Sequence, residues 1–383
     1  MREPLLMTPG PTGVDERVRQ AAARPMTVPE LDPEFPGFYR RLTGRVQELM
    51  ETKADCLILD GEAIMGLEAA VAALVEPGDK VLVLANGVFG HGFADFVEMY
   101  QGIPVKLVKD YRHPFAADDL KKVLDQEPEL KVCVLVHCET PSGLLNPIGE
   151  LLPVLKEAGL LTIVDAVSSL GAHPVKCDQW GIDICLGGSQ KCLSAPPGLT
   201  LLCISTAAWQ AMAGRRAPIP GYYLNLSLWR RTYLEKGEFP YTPPVSSLHG
   251  LEAALELLFE EGLEIAIDRQ RVLGEAVRAT LREAGLEVYP VPGAEANSVT
   301  AVEIPRGIDD RAFRHRLWEE KRVMIAGSYG PLAGRVWRLG HMGYNAEPSR
   351  IFRTFLAMDT CLKEMGWKGK PLAPIWAGKM GGR

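Results

Sequence analysis

The strongest constraint on the fold of this chain is the alternation of short apolar runs with helical patterns over residues 14–262. Residues 80–84, 131–136 and 161–164 have the composition of buried strands, and residues 66–74 favour a helix. Strands that are apolar along their whole length are typical of sheets covered by helices on both faces. The pattern therefore predicts an α/β fold built on a mostly parallel sheet.

A second pattern follows the helical region at 246–284, which is interrupted near Gly262. Two strand-like runs, 299–304 and 335–339, flank a helical stretch at 309–321, which predicts a smaller α+β domain. We expect the tail from Gly366 to be poorly ordered, because it is rich in Gly, Pro and Lys. The predicted division is an amino-terminal arm at 1–20, a large domain at 21–262 and a small carboxyl-terminal domain at 263–383.

Charge and cysteine usage argue against several classes of protein. The 383 residues carry a formal net charge of −6, which is not the basic footprint of a nucleic-acid-binding protein. The eight cysteines form no Cys-x-x-Cys pair and lie mostly in apolar runs, which favours reduced thiols over a disulfide framework or a metal site. The start Met1-Arg2-Glu3-Pro4 lacks the apolar core of a signal peptide, and no run is long enough to cross a bilayer. We expect a cytoplasmic protein without membrane, nucleic-acid or metal partners.

One lysine and one aspartate stand where two predicted strands end. Lys191 lies in a turn between the apolar runs 182–186 and 199–204, and Asp165 ends the strand that begins at Leu161. Ligands of parallel sheets bind at the carboxyl ends of the strands. A lysine for a Schiff base and a carboxylate for a pyridinium nitrogen are the pair that pyridoxal chemistry requires. A solvated loop lysine and a helix-capping aspartate are the alternatives.

Four short segments, in this order, resemble the class V aminotransferases of fold type I, which depend on pyridoxal 5'-phosphate. They are Thr8-Pro9-Gly10-Pro11-Thr12, Val164-Asp165-Ala166-Val167-Ser168-Ser169, Ser189-Gln190-Lys191 and Arg338-Leu339-Gly340-His341-Met342-Gly343. The resemblance implies a large domain with a mostly parallel seven-stranded sheet, a smaller α+β domain and a homodimer, possibly a tetramer, with shared active sites. It assigns Lys191 as the Schiff-base lysine and proton carrier, and Asp165 as the partner of the ring nitrogen.

The same resemblance implies roles for further residues around the ring. Phe89 would stack on one face and Val167 on the other, whereas Thr140 and Ser142 would contact the ring hydroxyl or serve only as turn formers. Arg338 would bind the substrate carboxylate through its planar fork, beside Gly10. Tyr241 and Thr242 would reach into the neighbouring subunit's site, and His341 would be structural.

Glu62 departs from the common pattern of the family. With Ala63 it precedes a helix whose start, in most relatives, binds the cofactor phosphate. A carboxylate beside a phosphate is repulsive, unless Glu62 is only a helix-start residue that favours the dipole. This segment resembles one branch of the family, pyridoxamine–pyruvate transaminase, which uses unphosphorylated pyridoxamine. However, Gln190 stands where that branch has Asn, and Tyr329 stands where it has a second arginine.

The sequence therefore predicts a transaminase that moves an amino group between pyridoxamine, or a small amino acid, and a small 2-oxo acid. The alternative is a conventional alanine– or serine–glyoxylate aminotransferase that retains pyridoxal 5'-phosphate, which Gln190 and Thr242 favour. Two further alternatives are a vitamin B6-binding protein without catalysis and a lyase or desulfurase on the same scaffold. The intact Lys191, Asp165 and Arg338 argue against the first, and the lack of a cysteine in an evidently flexible stretch argues against the second.

Overall fold

The computed structural model describes residues 4–381 as alternating helices and strands. The strands are β1 (Leu5–Leu6), β2 (Asp55–Asp60), β3 (Lys80–Ala85), β4 (Ile103–Val108), β5 (Leu130–Val136), β6 (Cys138–Glu139), β7 (Leu144–Leu145), β8 (Leu161–Asp165), β9 (Ile184–Gly188), β10 (Leu199–Ile204), β11 (Thr300–Glu303), β12 (Val323–Met324) and β13 (Val336–Leu339). The α-helices are α1 (Glu16–Ala22), α2 (Phe35–Leu49), α3 (Ala63–Leu74), α4 (Val88–Met99), α5 (Ala117–Gln126), α6 (Ile148–Glu157), α7 (Cys177–Trp180), α8 (Thr206–Ala213), α9 (Leu226–Trp229), α10 (Val245–Glu261), α11 (Leu263–Ala284), α12 (Asp310–Lys321), α13 (Pro348–Glu364) and α14 (Leu372–Met380).

The central sheet has seven strands in the order β2-β10-β9-β8-β5-β3-β4. Strand β10 runs antiparallel to both of its neighbours, and the other adjacent pairs are parallel. Because β10 is reversed on both sides, Leu199 at its start pairs with Asp60 at the end of β2, and Thr200 pairs with Gly188. The ends of β2, β8 and β9 therefore meet at one edge of the sheet, which places Glu62, Asp165 and Lys191 near one another.

Two main hydrophobic cores hold the chain together. The larger one packs the sheet against helices on both of its faces and is built from side chains of residues 18–255. The second is built largely from residues 273–376, with Leu5 and Met7 added from the start of the chain. In it, the rings of Phe313 and Trp337 stack with their centroids 4.1 Å apart. The predicted domain boundaries stay a prediction, although the buried residues of the larger core end in α10 and those of the second core begin within α11.

The predicted disorder of the tail is wrong for the residues that the structure describes. Helix α14 follows Gly366, and its Leu372, Ala373 and Trp376 are buried in the second core. The Asp359 carboxylate accepts hydrogen bonds from the backbone N–H groups of Leu372 and Ala373, at 2.6 and 2.8 Å. The Gly, Pro and Lys content concealed an apolar spacing that buries one face of a short helix. Residues 382 and 383 lie outside the described part.

Candidate active site

Lys191 lies in the turn that follows β9, beneath the amino-terminal segment. Its Nζ donates a hydrogen bond to the Pro9 carbonyl at 2.8 Å. Gly10 has a φ of +91°, and a Cβ at this position would lie 2.3 Å from the Lys191 Cδ. Only glycine therefore fits here, both for the backbone conformation and for the space that the lysine occupies.

Asp165 is buried at the end of β8, where its Oδ1 accepts a hydrogen bond from the Val167 N–H at 2.8 Å. Burial raises the pKa of Asp165 to about 6, whereas the Val167 N–H and the nearby charge of Lys191 act in the opposite direction. Burial, followed by the positive charge of Arg338, lowers the pKa of Lys191. A lysine with a lowered pKa is the kind of amine that nucleophilic and proton-transfer chemistry needs.

Arg338 brings a buried cation to the same place from strand β13. Its Nε donates to the Gly327 carbonyl at 2.6 Å, and its guanidinium carbon lies 4.7 Å from the centre of the Tyr329 ring. Within residues 4–381, no carboxylate forms an ion pair with Arg338. The guanidinium charge is thus not neutralised by the protein, which suits it to bind a carboxylate of a ligand.

The carboxyl-terminal motif packs directly on the turn of Lys191. A Cβ at Gly343 would lie 2.4 Å from the Cys192 carbonyl oxygen, and a Cβ at Gly340 would lie 2.2 Å from the Thr8 carbonyl oxygen. The predicted structural role of His341 fits its position, because it is fully buried and its Nε2 lies 2.8 Å from the Thr300 Oγ1. These close approaches hold the arm, the lysine turn and β13 together as one unit.

Glu62 is the N-cap residue of α3, and both of its carboxylate oxygens have partners. Oε2 accepts a hydrogen bond from the Ile64 N–H at 3.0 Å, and Oε1 accepts one from the Gln190 side-chain amide at 2.5 Å. Glu62 is exposed, whereas Gln190 is 3% exposed. The end of the helix where relatives would bind a phosphate therefore already carries a carboxylate of this chain.

Three of the other predicted cofactor-binding residues meet around Gly188. A Cβ at this position would lie 3.0 Å from Val167 Cγ1, 3.1 Å from Gln190 Oε1 and 3.2 Å from the Ala63 Cβ. The absence of a side chain at Gly188 therefore leaves room at the end of β9 for Ala63, Val167 and Gln190 to come together.

A buried carboxylate that the sequence did not single out supports Phe89. Glu139 is fully buried, and its two oxygens accept hydrogen bonds from the Phe89 and Gly90 N–H groups, at 3.2 and 2.6 Å. Burial raises the pKa of Glu139 to about 7. The residue fixes the first turn of α4, which presents Phe89. Its place at the end of β6, directly before Thr140, was the available signal.

Thr140 and Ser142 differ in their surroundings. Thr140 Oγ1 lies 2.5 Å from the Ser168 Oγ, next to the segment that carries Asp165. Ser142 is buried, and its N–H and hydroxyl both donate to the Glu139 carbonyl, which is the turn-forming arrangement. Thr140 is therefore the better candidate for a ring contact.

Tyr241 and Thr242 make their contacts away from Lys191 in this chain. The Tyr241 ring stacks on Tyr223 with centroids 4.1 Å apart, and Thr242 donates to the Glu30 carboxylate at 2.8 Å. Their predicted contribution to the site of a neighbouring subunit stays a prediction.

The described residues show neither a membrane-spanning helix nor a cluster suited to metal. Over residues 4–381 no helix is both long and apolar enough to cross a bilayer, and no three His, Cys, Asp or Glu side chains are grouped to hold an ion. The eight cysteines are buried and free.

Residues 38–334 match the sequence model of the aminotransferase class-V family. The chain belongs to the class V aminotransferases. This transaminase is 35% identical over 366 residues to an uncharacterised aminotransferase of Methanocaldococcus jannaschii, across 96% of this chain and 94% of the relative. It is 33% identical over 368 residues to pyridoxamine–pyruvate transaminase of Mesorhizobium japonicum, across 95% and 93%.

The structure of ureidoglycine–glyoxylate aminotransferase from Bacillus subtilis superposes on this class V aminotransferase with a TM-score of 0.94. The two are 30% identical, and the match covers 99% of this chain and 98% of the other. The predicted family, the α/β fold of type I with its seven-stranded sheet and the transaminase activity are therefore confirmed. A pyridoxal group is the cofactor class of this family, and the chemistry of Lys191 and Asp165 fits it.

Proposed function

We propose that this transaminase uses pyridoxamine itself as the amino donor and a small 2-oxo acid as the acceptor. The observation that carries the proposal is the Glu62 carboxylate at the start of α3, where the N–H groups of a helix would otherwise attract a phosphate. The similarity to pyridoxamine–pyruvate transaminase over nearly the whole chain supports the same reading.

A helix N-terminus offers partial positive charge and unpaired N–H groups, and either a phosphate or a carboxylate can satisfy them. In this chain the Glu62 carboxylate accepts hydrogen bonds from the Ile64 N–H and from the Gln190 side-chain amide. It therefore already compensates the positive charge at the start of α3. A phosphate would add charge of the same sign. A neutral hydroxymethyl group would instead find a carboxylate oxygen as a hydrogen-bond acceptor.

The proposed mechanism assigns each protein group a separate task. When bound, pyridoxamine would supply the amino group on its exocyclic carbon, and its ring would act as an electron sink. Asp165 would hold a negative charge beside the ring nitrogen, and the lowered pKa of Lys191 favours the neutral amine that would take a proton from the substrate carbon. Arg338 orients the acid by its carboxylate, and Phe89 and Val167 confine the ring from its two faces.

The alternative is an aminotransferase that retains pyridoxal 5'-phosphate and uses glyoxylate with alanine or serine. Gln190 favours this alternative, because an amide at this position can donate to a phosphate once it leaves Glu62. The similarity to a ureidoglycine–glyoxylate aminotransferase also favours glyoxylate as the acceptor. Because Tyr329 stands where the pyridoxamine branch has an arginine, Arg338 is the buried cation that would bind the acid.

Mass spectrometry of the small molecules released on denaturation separates the two proposals. Protein purified without added vitamers should release no phosphorylated cofactor, and should convert pyridoxamine plus pyruvate or glyoxylate to pyridoxal plus alanine or glycine. Stoichiometric pyridoxal 5'-phosphate would refute the pyridoxamine proposal and reduce Glu62 to a helix-start residue. Lys191→Ala, which cannot form the covalent link, is the control for specific retention.

We also propose a homodimer with shared active sites in the cytoplasm. Thr242 is exposed and lies away from the site of its own chain, which supports this proposal. The resemblance to the class V family, which implies a homodimer with shared sites, also supports it. Sedimentation at several concentrations measures the oligomeric state. Activity regained on mixing inactive Thr242 and Lys191 variants would support shared sites.

A further inference from the structure

A cleft of about 560 Å³ opens beside Arg338, on the side of the small domain. One wall is a single face of α12, because residues spaced by three, four and seven positions lie on the same side of a helix. The opposite wall contains Tyr329 and the guanidinium of Arg338. The α12 residues on the cleft are Arg311, Arg314, His315 and Trp318.

The charge of this cleft is positive. Arg314 is held by both oxygens of the Asp310 carboxylate, at 2.7 and 2.8 Å, so most of its charge is compensated. Arg311 is exposed and forms no ion pair with any residue in the described range 4–381. The described lining of the cleft includes no carboxylate. Arg311 and Arg338 therefore supply the uncompensated positive charge.

The two walls connect the outer end of the cleft to the candidate active site. The Gly327 carbonyl accepts the hydrogen bond of Arg338 Nε, while the Arg314 guanidinium lies 3.1 Å from the place that a Cβ on Gly327 would take. The Ser328 hydroxyl donates to the Pro141 carbonyl at 2.8 Å, which ties this wall to the large domain. A carboxylate that enters the cleft can thus move along one continuous surface to Arg338.

We propose that this cleft is an outer binding site for the carboxylate of the acid substrate, and that Arg311 is the positioning residue that draws the anion towards Arg338. A cleft lined by charge of one sign raises the local concentration of the opposite ion and its rate of association. Trp318 also lines the cleft, and the Arg322 guanidinium lies 4.0 Å from the centre of its ring. The proposal rests on the carboxylate-binding role of Arg338 proposed above, and it does not depend on whether the amino donor is pyridoxamine.

The test compares Arg311→Gln and Arg311→Glu with Arg316→Gln as a matched control. Arg316 is on the same helix, pairs with Glu320 at 2.9 Å and does not line the cleft, so its substitution changes the net charge equally. When pyridoxamine is the amino donor, it condenses with the 2-oxo acid in one ternary complex, so kcat/KM of each substrate is measured with the other substrate at saturation. We would measure kcat/KM for pyruvate and for pyridoxamine at ionic strengths from about 0.01 to 1 M, across which the screening length falls from about 30 to about 3 Å.

The expected result is a loss of about tenfold in kcat/KM for pyruvate in Arg311→Gln at low ionic strength. The loss should be larger in Arg311→Glu and should vanish at high salt, with kcat and kcat/KM for pyridoxamine unchanged. An equal loss in the control, or no loss in either Arg311 variant, would overturn the proposal.

A separate outcome identifies failure of the proposed donor. If the enzyme instead takes an amino acid as donor, that donor also carries a carboxylate. Both half-reactions, measured with alanine and glyoxylate, should then weaken in the Arg311 variants. In that case the outer site would stand and the pyridoxamine proposal would fall.

Discussion

Replacing Glu62 should strengthen the binding of a phosphorylated cofactor, if the Glu62 carboxylate excludes it as proposed above. Glu62→Gln keeps the size of the side chain and an acceptor for the Ile64 N–H but removes the charge. Glu62→Ser removes the charge, opens space and keeps a good N-cap residue. The two variants together separate the effect of charge from the effect of room.

The size of the effect follows from the position of the carboxylate. Two like unit charges about 4 Å apart repel by about 1 kcal/mol in water and about 4 kcal/mol at an effective dielectric constant of about 20. Glu62 is exposed, so the lower part of this range applies, and a phosphate monoester carries about two charges. We expect about 2 kcal/mol, which is about a 30-fold lower Kd for pyridoxal 5'-phosphate in Glu62→Gln.

The assay is a titration of each apoprotein with pyridoxal 5'-phosphate and, separately, with pyridoxal, followed by absorbance. Affinity for the phosphorylated form should rise in both variants. Affinity for pyridoxal should fall, because its hydroxymethyl group loses an ionised acceptor. The proposed effect of the Glu62 charge is refuted if the affinities for both ligands change by the same factor. It is also refuted if neither variant binds the phosphate ester more tightly than the parent protein.

Three further perturbations test the rest of the site. Gly10→Ala places a methyl group against Lys191 at a positive φ, so the melting temperature should fall with a destabilisation of about 1–3 kcal/mol, and turnover should fall with it; unchanged turnover would contradict the described packing. Arg338→Lys keeps the charge but loses the planar fork, so KM for the 2-oxo acid should rise by about 10- to 100-fold while KM for the amine stays constant. The pKa of Glu139 is raised to about 7 from its usual 4.5, so the folded protein holds this proton more tightly than the unfolded chain. The free energy of unfolding should therefore decrease between about pH 4.5 and pH 7, by up to about 3 kcal/mol relative to Glu139→Gln, and denaturant titrations that show parallel pH profiles would contradict this.

The sheet could be predicted because its strands are apolar from end to end. Strand β3 is buried along almost its whole length, since helices cover both faces, and such a run stands out in the sequence. The positions of Lys191 and Asp165 followed from the same feature, because a polar residue at the end of an apolar strand is conspicuous. The antiparallel direction of β10 could not be predicted in this way, as its composition is the same for either direction.

The role of Glu139 and the presence of helix α14 were not predicted from the amino-acid sequence. Glu139 looks like an ordinary loop residue, and its importance comes only from the two N–H groups that the fold brings to it from α4. The Gly, Pro and Lys content of the whole tail predicted disorder, although Leu372 and Trp376 both lie on one face of a helix. Contacts between distant segments decide the first case, whereas in the second case a local apolar spacing was present and the overall composition concealed it.

The pairing of β1 with β12 links the order of synthesis to the completion of the site. Leu5 pairs with Val323, and the Met7 carbonyl accepts a hydrogen bond from the Gly340 N–H, so β1 finds its partners in segments that the ribosome makes more than 300 residues later. The Pro9 carbonyl that receives the Lys191 amine belongs to this same arm. A nascent chain can build the central sheet early, but its lysine gains this cover only after the carboxyl-terminal part has emerged and folded.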